Sequence, residues 1–451
     1  MRKVSFYTLG CKLNFAETSS IAKIFQSQQF LVVDFEEPSD ICVINTCSVT
    51  ENADKECKSI VKRALQKNPN CKVIVIGCYA QLKPQEILNI QGVKLVLGTN
   101  EKFKIIDYLK YLDDEESKAF YSDIENAYHF NASFSLGERT RTFLKIQDGC
   151  DYTCSYCTIP LARGESRSDT LEGILKNVHQ ILEKGIKEIV LTGVNVGDVG
   201  FTEIPEQGRK KRSFTLLQLL EEVEKIDTEF RLRISSIEPN LLSDEIIELS
   251  ANSRHIMPHF HIPLQSGSNT ILAKMQRRYK RELYAQRVEK IKSLMPDACI
   301  GVDVIVGFPG ETDELFNETL EFLKGLDVSY FHVFTYSERK NTLAEQLSDK
   351  VPMHIRKERN AILRQLSQKK QHYFYQQNIG KTRKVLWEDT EKNGMMYGWT
   401  DNYIRVSRTY NENWCGKISE VRLVGWGENG IILGEDSIAS PDSMKVLNEI
   451  N

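Results

Sequence analysis

Short apolar, β-branched runs alternate with longer helical runs along most of this chain, and this alternation constrains the fold more than any other feature. The apolar runs are nearly continuous, which is typical of strands buried on both faces of a parallel sheet. Parallel neighbours need helical crossovers between them, and the helical runs lie where such a sheet requires them. The sequence therefore predicts an α/β protein.

Residues 1–110 contain four such strands. They are predicted at residues 4–9, 41–45, 72–76 and 94–97. Helices are predicted between and after them, at residues 16–28, 53–66 and 84–89. This order of elements predicts an N-terminal doubly wound parallel-sheet domain over residues 1–112.

The same alternation returns over residues 138–335. Strands are predicted at residues 142–146, 188–191, 231–234, 260–263, 300–306 and 330–334. Helices are predicted at residues 171–183, 216–225, 243–249, 282–294 and 314–324. About six βα units indicate a partial (β/α)6 barrel over residues 138–370, because a full eight-stranded barrel would need more chain.

Two segments outside these regions have a different character. Residues 113–137 begin with two aspartates and two glutamates and are predicted to form a linker. Residues 371–440 contain short strands and turns and predict a small antiparallel β-barrel, followed by a tail at residues 441–451.

Composition excludes several classes of protein. With 451 residues and a net charge of −3, the chain has no globally basic surface for nucleic acid. No apolar run approaches the ~18 residues that a membrane helix needs, and no signal peptide is evident, so we expect a cytoplasmic protein. Eleven cysteines in a chain of this length are too dilute for a disulfide scaffold and indicate metal or redox chemistry where they cluster.

Three cysteines, Cys150, Cys154 and Cys157, have the spacing C-x3-C-x2-C after the first predicted strand of the central domain. Iron–sulfur clusters usually take four cysteine ligands, and the next cysteine along the chain is Cys299. A cluster held by these three would leave one iron open to a small molecule. The alternatives are a zinc half-site, for which a second C-x2-C at ribbon spacing is missing, and a redox pair, which would leave Cys150 unused.

Cys11, Cys47 and Cys78 each follow the carboxyl end of a predicted N-terminal strand. These strand ends meet at one edge of a parallel sheet, where ligands bind in open α/β folds. Gly10 and Gly77 let the backbone turn sharply beside two of them. The three cysteines predict a second cluster site, with simple burial as the alternative. The remaining cysteines are interpreted as packing residues: Cys42, Cys57, Cys71, Cys299 and Cys415.

With these two triads, the chain resembles the radical S-adenosylmethionine (SAM) methylthiotransferases over nearly its whole length. The resemblance lies in Thr8-Leu9-Gly10-Cys11, Asn45-Thr46-Cys47, Gly77-Cys78, Arg163-Gly164 and residues 143–150, 261–268 and 303–312. The C-terminal segment, with Gly380-Lys381 and residues 398–403, resembles the small RNA-associated TRAM barrel. Within the family, the N-terminal motifs most resemble the MtaB type.

The resemblance implies a transferase that adds a methylthio group to C2 of N6-threonylcarbamoyladenosine at position 37 of tRNA. It implies two [4Fe–4S] clusters on the two triads, and two SAM molecules, one as methyl donor and one as source of a 5′-deoxyadenosyl radical. The C2–H bond is neither acidic nor electrophilic, so no side chain is predicted as catalytic acid or base. The expected partners are a tRNA anticodon stem-loop, a reductase or flavodoxin-like electron donor, and a sulfur source.

Other functions remain open on the sequence alone. The same chemistry on isopentenyladenosine tRNA or on a ribosomal protein aspartate would use the same cysteines. A non-catalytic iron–sulfur RNA-binding protein is an alternative of a different class.

SAM contacts are predicted in loops after the carboxyl ends of the barrel strands. The candidates are Tyr156, Thr192, Gly193, Asn195, Ser236, Glu238, Gln265, Ser266, Gly267 and Gly307. Gly267 and Gly307 could instead be ordinary turn glycines, and Glu238 could pair with Arg233.

RNA contacts are predicted on basic and aromatic residues, which suit phosphates and stacked bases. The candidates are Arg209, Lys210, Lys211, Arg212, Lys369, Lys370, Tyr373, Lys381 and Arg383. Solvated helix faces and loops are the alternative for these residues.

One position departs from the family pattern. Where the family often has glycine in an Arg-x-Gly-Thr turn, this chain has Asn341. Asparagine tolerates the left-handed backbone conformation better than most residues, so we expect the turn to be kept.

Overall fold

The computed structural model describes residues 1–47, 51–135, 140–202 and 210–436. The chain forms an N-terminal α/β part, a central partial barrel and a small closed β-barrel, which confirms the predicted fold class. No helix in these ranges is both long enough and apolar enough to cross a membrane. Arg209 and the predicted tail lie outside the described residues.

The N-terminal part is a six-stranded parallel sheet with helices. Its strands are β1 Lys3–Thr8, β2 Leu31–Val33, β3 Ile41–Thr46, β4 Lys72–Gly77, β5 Val93–Leu97 and β6 Lys118–Phe120. Its helices are α1 Lys12–Ser27, α2 Glu51–Lys67, α3 Cys78–Leu82, α4 Pro84–Leu88 and α5 Ile105–Tyr108. The strand order is β2-β1-β3-β4-β5-β6.

The central strands of this sheet are buried on both faces, which explains their continuous apolar runs. Val43 and Ile74 belong to the core on one face, whereas Ile44 and Val75 belong to the core on the other. The edge strands β2 and β6 have three residues each, too few for a recognisable pattern, and the sequence does not predict them. Strand β6 lies within the segment that the sequence predicts as a linker.

The central part contains five short strands, the six strands of the partial barrel and eight α-helices among the described residues. Its strands are β7 Ser133–Phe134, β8 Arg141–Lys145, β9 Gln147–Asp148, β10 Arg167–Ser168, β11 Glu188–Thr192, β12 Phe201–Thr202, β13 Lys211–Arg212, β14 Arg231–Ile234, β15 His259–Gln265, β16 Cys299–Val306 and β17 Tyr330–Thr335. Its helices are α6 Ile159–Arg163, α7 Leu171–Glu183, α8 Leu216–Glu224, α9 Asp244–Asn252, α10 Asn269–Lys274, α11 Arg281–Leu294, α12 Asp313–Gly325 and α13 Met353–Gln376.

Six of these strands form the curved parallel wall that the sequence predicts. Strands β8, β11 and β14 pair in parallel, as do β15, β16 and β17. Parallel bridges from Leu232 to Ile256 and from Ser236 to His261 connect the two groups. Because strands β8 and β17 do not pair with each other among the described residues, the barrel is partial.

The C-terminal part is a closed five-stranded barrel in the order β18-β19-β20-β22-β21. Its strands are β18 Thr382–Trp387, β19 Met395–Thr400, β20 Arg405–Thr409, β21 Ile418–Trp426 and β22 Ile432–Asp436. Strands β20 and β22 pair in parallel, so the prediction of an antiparallel barrel is wrong for this pair. Five strands cannot alternate in direction all the way around a closed ring, and one parallel pair results.

A buried ion network joins α1 to the central barrel. Glu17 accepts hydrogen bonds from Lys145 at 2.8 Å, from Lys102 at 2.7 Å and from Arg163 at 3.1 and 3.2 Å. Arg163 also donates to Asp148 at 2.8 Å. Burial raises the pKa of Glu17, but Arg163, Lys102 and Lys145 overcome this effect and hold it well below its usual range. An ionised Glu17 therefore fixes α1 against the barrel.

The C-terminal barrel packs beside strand β14. The Arg231 and Arg233 guanidinium groups donate to backbone carbonyl oxygens of the β18 and β19 region at 2.7–3.0 Å. Lys381 and Arg383 form ion pairs with Asp297, in the loop before β16. These contacts hold the small barrel at one end of the partial barrel.

Candidate functional site

The loop between β9 and α6 carries the first triad, Cys150, Cys154 and Cys157. Gly149 has φ +69°, and a Cβ there would lie 1.9 Å from the backbone oxygen of Glu165, so only glycine fits. The backbone N–H groups two residues after Cys150 and Cys157 donate to their Sγ atoms at 3.4 Å. Two of the three sulfur atoms therefore accept hydrogen bonds from backbone donors near them in the chain.

Arg277 reaches this loop from the segment after α10. It donates to Cys154 Sγ at 3.1 Å and forms an ion pair with Glu238. Burial raises the pKa of Cys150 and that of Cys157 to about 12, and repulsion between neighbouring thiolates adds to the rise. Clustered thiols of this kind suit a metal centre, because coordination to a cation removes the thiol proton.

The second triad lies at the carboxyl edge of the N-terminal sheet. Cys11 caps α1, Cys47 directly follows β3, and Cys78 begins α3. Gly10 has φ +97°, and a Cβ there would lie 2.4 Å from Cys47 Cβ. Cys11 and Cys78 are close enough to interact electrostatically with each other and with Arg163. Strand ends that are distant in sequence thus bring three cysteines together.

A cavity of about 720 Å³ opens between the three parts of the chain. Cys11 lines it from the N-terminal part, Asp303 from the partial barrel and Trp399 from the C-terminal barrel. A neighbouring pocket of about 210 Å³ is lined by Cys157. Asp303 and Phe334 line both spaces, so the two triads open on adjoining volumes.

Polar side chains of four barrel strands or strand ends line the cavity. His261 Nε2 lies 2.9 Å from Asp303 Oδ1, and its Nδ1 lies 2.7 Å from Ser236 Oγ. The His332 ring meets the His261 ring edge-on, with centroids 5.6 Å apart. These contacts fix the His261 imidazole in the cavity wall.

Aromatic rings form another part of the cavity wall. Tyr403 stacks on Trp399 and on His259, with centroid distances of 4.3 and 4.0 Å. Burial holds the pKa of His259 well below its usual range, so this imidazole is neutral at physiological pH. Arg141 and Arg233 lie over the Tyr403 ring, at 5.9 and 5.2 Å from its centroid. Such a surface suits contact with a nucleobase.

Lys12, the residue after Cys11, lines the same cavity and is half-buried. Burial lowers the pKa of Lys12 to about 8, and the positive charges of Arg141 and Arg233 contribute to the decrease. No described residue forms a hydrogen bond or an ion pair with its ammonium group.

Five of the residues predicted to contact SAM line one of these two spaces. Thr192, Gly193 and Ser236 line the cavity, and Tyr156 and Gln265 line the pocket beside the first triad. Gln265 has φ +66° at a register shift in β15. A strained non-glycine backbone of this kind is common at ligand sites.

The other five predicted residues line neither space: Asn195, Glu238, Ser266, Gly267 and Gly307. Ser266 Oγ and the Gly267 N–H group each lie 3.1 Å from Thr319 Oγ1 on α12. Gly307 has φ +75°, and a Cβ there would lie 2.3 Å from the Arg356 side chain. Ser266, Gly267 and Gly307 therefore support the strand-end loops through packing and turn geometry.

Several of the predicted RNA contacts take part in contacts within the chain. Lys210 pairs with Asp151, next to the first triad, and Lys370 donates to backbone oxygens at the end of α12. Lys381 and Arg383 make the docking contacts described above. The exposed candidates are Lys211, Arg212, Lys369, Tyr373 and Lys381.

Two residues of the site were not found from the sequence. Arg277 lies 123 residues from Cys154 in the chain and shows no motif of its own. It pairs with Glu238, so the alternative pairing of Glu238 with Arg233 is wrong. Lys12 adjoins a predicted ligand, and that adjacency was the one available signal.

Comparison with known proteins agrees with this geometry. Residues 3–98 match the uncharacterized protein family UPF0004, and residues 144–323 match the Radical SAM superfamily. The chain is 38% identical over 435 residues to threonylcarbamoyladenosine tRNA methylthiotransferase MtaB of Bacillus subtilis, covering 95% of both. It is 40% identical to the protein of the same name from Aquifex aeolicus, covering 93% of this chain and 100% of that one. The chain belongs to the radical SAM methylthiotransferase family.

Other relatives with high coverage are named as synthases of a different tRNA nucleoside. The methylthiotransferase is 31% identical to tRNA-2-methylthio-N(6)-dimethylallyladenosine synthase of Endomicrobium trichonymphae, covering 92% of this chain and 96% of that one. Among solved structures, the radical SAM methyltransferase TsrM of Kitasatospora setae matches with a TM-score of 0.53 at 14% identity, covering 76% and 77% of the two chains. That likeness shows the fold alone.

Radical SAM methylthiotransferases use SAM and [4Fe–4S] clusters, and the residues of this chain fit both. Each triad offers three cysteines outside any disulfide. The small pocket beside Cys157 is lined by the Tyr156 ring and the Gln265 side chain, and it lies next to the first triad.

Proposed function

We propose that this methylthiotransferase adds a methylthio group to C2 of N6-threonylcarbamoyladenosine beside the anticodon of tRNA. The observation that carries the proposal is the pair of adjoining spaces, one lined by Cys11 and the other by Cys157, with Asp303 and Phe334 common to both. Such a layout lets one substrate atom face both triads without leaving the enzyme.

The relatives support the choice of substrate. Two of the proteins that cover nearly all of this chain, at 38% and 40% identity, are named threonylcarbamoyladenosine tRNA methylthiotransferases. The dimethylallyladenosine synthases are less similar, at 31–33% identity. The half-buried Trp399 and Tyr403 rings line the cavity and offer aromatic contact to an extruded base.

In this proposal, Cys150, Cys154 and Cys157 hold one cluster, and Cys11, Cys47 and Cys78 hold the other. When bound, the clusters and SAM supply the electron, the carbon radical, the sulfur and the methyl group that the reaction needs. The protein then has to position the base and exclude water.

The test uses enzyme reconstituted anaerobically with iron and sulfide. It is incubated with SAM, a chemical reductant and an anticodon stem-loop that carries threonylcarbamoyladenosine, and the nucleosides are analysed by mass spectrometry. We expect the 2-methylthio derivative of this nucleoside. Product on dimethylallyladenosine RNA or on a ribosomal protein aspartate instead would reject the proposed substrate. Failure to cleave SAM would reject the proposed radical SAM activity.

The second triad is tested by changing Cys11, Cys47 and Cys78 to alanine together. We expect SAM cleavage to persist, methylthiolation to disappear and iron to fall from about eight to about four atoms per chain. The matched control is a variant in which the buried cysteines of the same domain are changed to alanine: Cys42, Cys57 and Cys71. This variant should keep its full iron content. Full product from the first variant would contradict the assignment.

Two further parts of the proposal concern the setting of the reaction. The enzyme works in the cytoplasm, where tRNA is modified, and takes its electron from a reductase or flavodoxin-like donor. It also needs a sulfur source to restore the transferred atom after each turnover.

A further inference from the structure

Among the described residues that line the large cavity, Lys12 is the one lysine or arginine. Its ammonium group has no hydrogen-bond or ion-pair partner among the described residues. The nearby guanidinium groups differ in this respect, since Arg233 lies 3.0 Å and Arg141 3.8 Å from Glu188. Lys12 is therefore the cation that remains available to a ligand in this cavity.

The surroundings of Lys12 favour an anion over a neutral group. Arg141 and Arg233 are near enough to interact with it electrostatically, and Glu188 and Asp303 are the nearby acids. The three guanidinium groups of Arg141, Arg231 and Arg233 surround the single carboxylate of Glu188, which leaves an excess of positive charge. A ligand carboxylate at this place would complete the charge balance.

The position of Lys12 along the chain matches the geometry of the proposed substrate. It directly follows Cys11, a member of the second triad. In adenine, C2 and C6 flank the ring nitrogen N1, and N6 is bonded to C6, so a substituent on N6 that is turned toward N1 lies on the same side of the base as C2. In the proposed function, the second triad holds the cluster that supplies sulfur to C2. A side chain next to that triad therefore lies close to the substituent on N6.

We propose that Lys12 binds the carboxylate of the threonylcarbamoyl group and so selects carboxylated over hydrocarbon substituents on N6. The inference rests on the proposed function and deepens it. The threonylcarbamoyl group carries a carboxylate, whereas a dimethylallyl group is an uncharged hydrocarbon. The Lys12 ammonium group, in an aromatic and polar wall that also holds the Asp303 carboxylate, distinguishes the two by charge.

The experiment compares two stem-loop RNAs, one with threonylcarbamoyladenosine and one with its methyl ester, which lacks the negative charge. For the reconstituted wild-type enzyme we expect kcat/KM to be about 10- to 100-fold higher for the acid than for the ester, mostly through KM. For Lys12→Gln and Lys12→Met, kcat/KM for the acid should fall to the value for the ester, while the ester is unaffected. Lys12→Arg should keep most of the preference.

The controls separate binding from folding and from cluster assembly. Unchanged turnover of the ester shows that a Lys12 variant is folded and loaded, and iron analysis confirms it. Lys62→Gln, an exposed lysine on α2 of the same domain, should leave the acid preference intact.

Three results would overturn the proposal. The first is a wild-type enzyme that converts acid and ester equally, and the second is a Lys12→Gln variant that keeps the preference. Both leave the proposed function standing. The third is a wild-type enzyme that modifies dimethylallyladenosine RNA and neither of the two others, which would reject the proposed function together with the role of Lys12.

Discussion

Arg277 contacts a cysteine, a carboxylate and a phenol at the same time. Its guanidinium group donates to Cys154 Sγ at 3.1 Å and to Tyr279 Oη at 3.3 Å, and it pairs with Glu238. The Arg277 side chain is 4% exposed and that of Glu238 12%. Because both charges are buried, the carboxylate depends on this arginine for a cation.

Replacing Arg277 with glutamine should therefore lower the free energy of unfolding by about 3 kcal/mol, since it leaves Glu238 buried without its partner. It also removes a donor from Cys154, so we expect slower SAM cleavage by the reconstituted enzyme. Thermal unfolding and a SAM-cleavage assay measure the two effects. The neighbouring exposed Arg278→Gln is the control, and equal melting of the two variants would contradict the prediction.

Some residues of the site could be predicted from the sequence, and others became evident only in the structure. The grouping of six cysteines into two triads was predictable because cysteine spacing and strand ends are local features of the chain. Arg277 and Lys12 were not, because their roles arise from packing between distant segments: Arg277 meets Tyr156 from 121 residues away. Asn341 adopts φ +67°, which confirms the predicted left-handed turn.

Helix α1 combines two tasks along its length. Its first turn presents Lys12 to the cavity, next to Cys11, and its second turn places Glu17 in the buried ion network. The carboxylate of Glu17 balances Lys102, Lys145 and Arg163, with Asp148 as the second acid. The position of the second triad relative to the barrel thus depends on one ionised side chain.

Glu17→Gln should destabilise the protein by about 3–5 kcal/mol at neutral pH. The folded-state pKa of Glu17 lies below its unfolded value of ~4.3, so its stabilisation is full above that pH and is lost as pH falls toward the folded-state pKa. Thermal unfolding of the metal-free proteins from pH 7 to pH 3 should show the difference from wild type shrinking with acid. The exposed Glu183→Gln is the control, and a difference independent of pH would refute the account.

Individual helices and strands were predictable where the pattern of apolar residues is long enough to recognise. The six barrel strands appear within a few residues of their predicted bounds because each is a short segment with apolar residues that is set apart from helical runs. Strand β16 is mostly apolar, whereas β14 alternates arginine with leucine and isoleucine. The edge strands β2 and β6 were missed because three residues carry no period. The parallel pair of β20 and β22 was missed because strand direction in a closed ring follows from the number of strands.

Over the whole molecule, ion pairs of unequal exposure hold the C-terminal barrel to the partial barrel. Asp297 pairs with Lys381 at 2.6 Å and with Arg383, whose side chain is 13% exposed. Lys384 and Glu229 cross the same junction at 3.5 Å, with side chains 55% and 82% exposed. Solvent screens the second pair strongly, so we expect the first to dominate the docking.

Asp297→Ala should weaken the docking by about 1 kcal/mol, which corresponds to about a fivefold larger population of the undocked barrel. Limited proteolysis between the two barrels, near residues 377–382, should accelerate by the same factor. Glu229→Ala, at the exposed pair, should change the cleavage rate little. Equal rates for the two variants would show that the arginines of β14 carry the docking alone.

The cavity has one further consequence for how the protein is made. Its wall includes Trp399 and Tyr403, which leave the ribosome long after the six cysteines of the two triads have been synthesised. Because domains fold as they emerge, a nascent chain can bring both cysteine triads into place before it has synthesised the last part of the cavity wall. An unfinished polypeptide therefore lacks the aromatic wall of the cavity, and on the proposed function the reaction on RNA awaits a completed translation product.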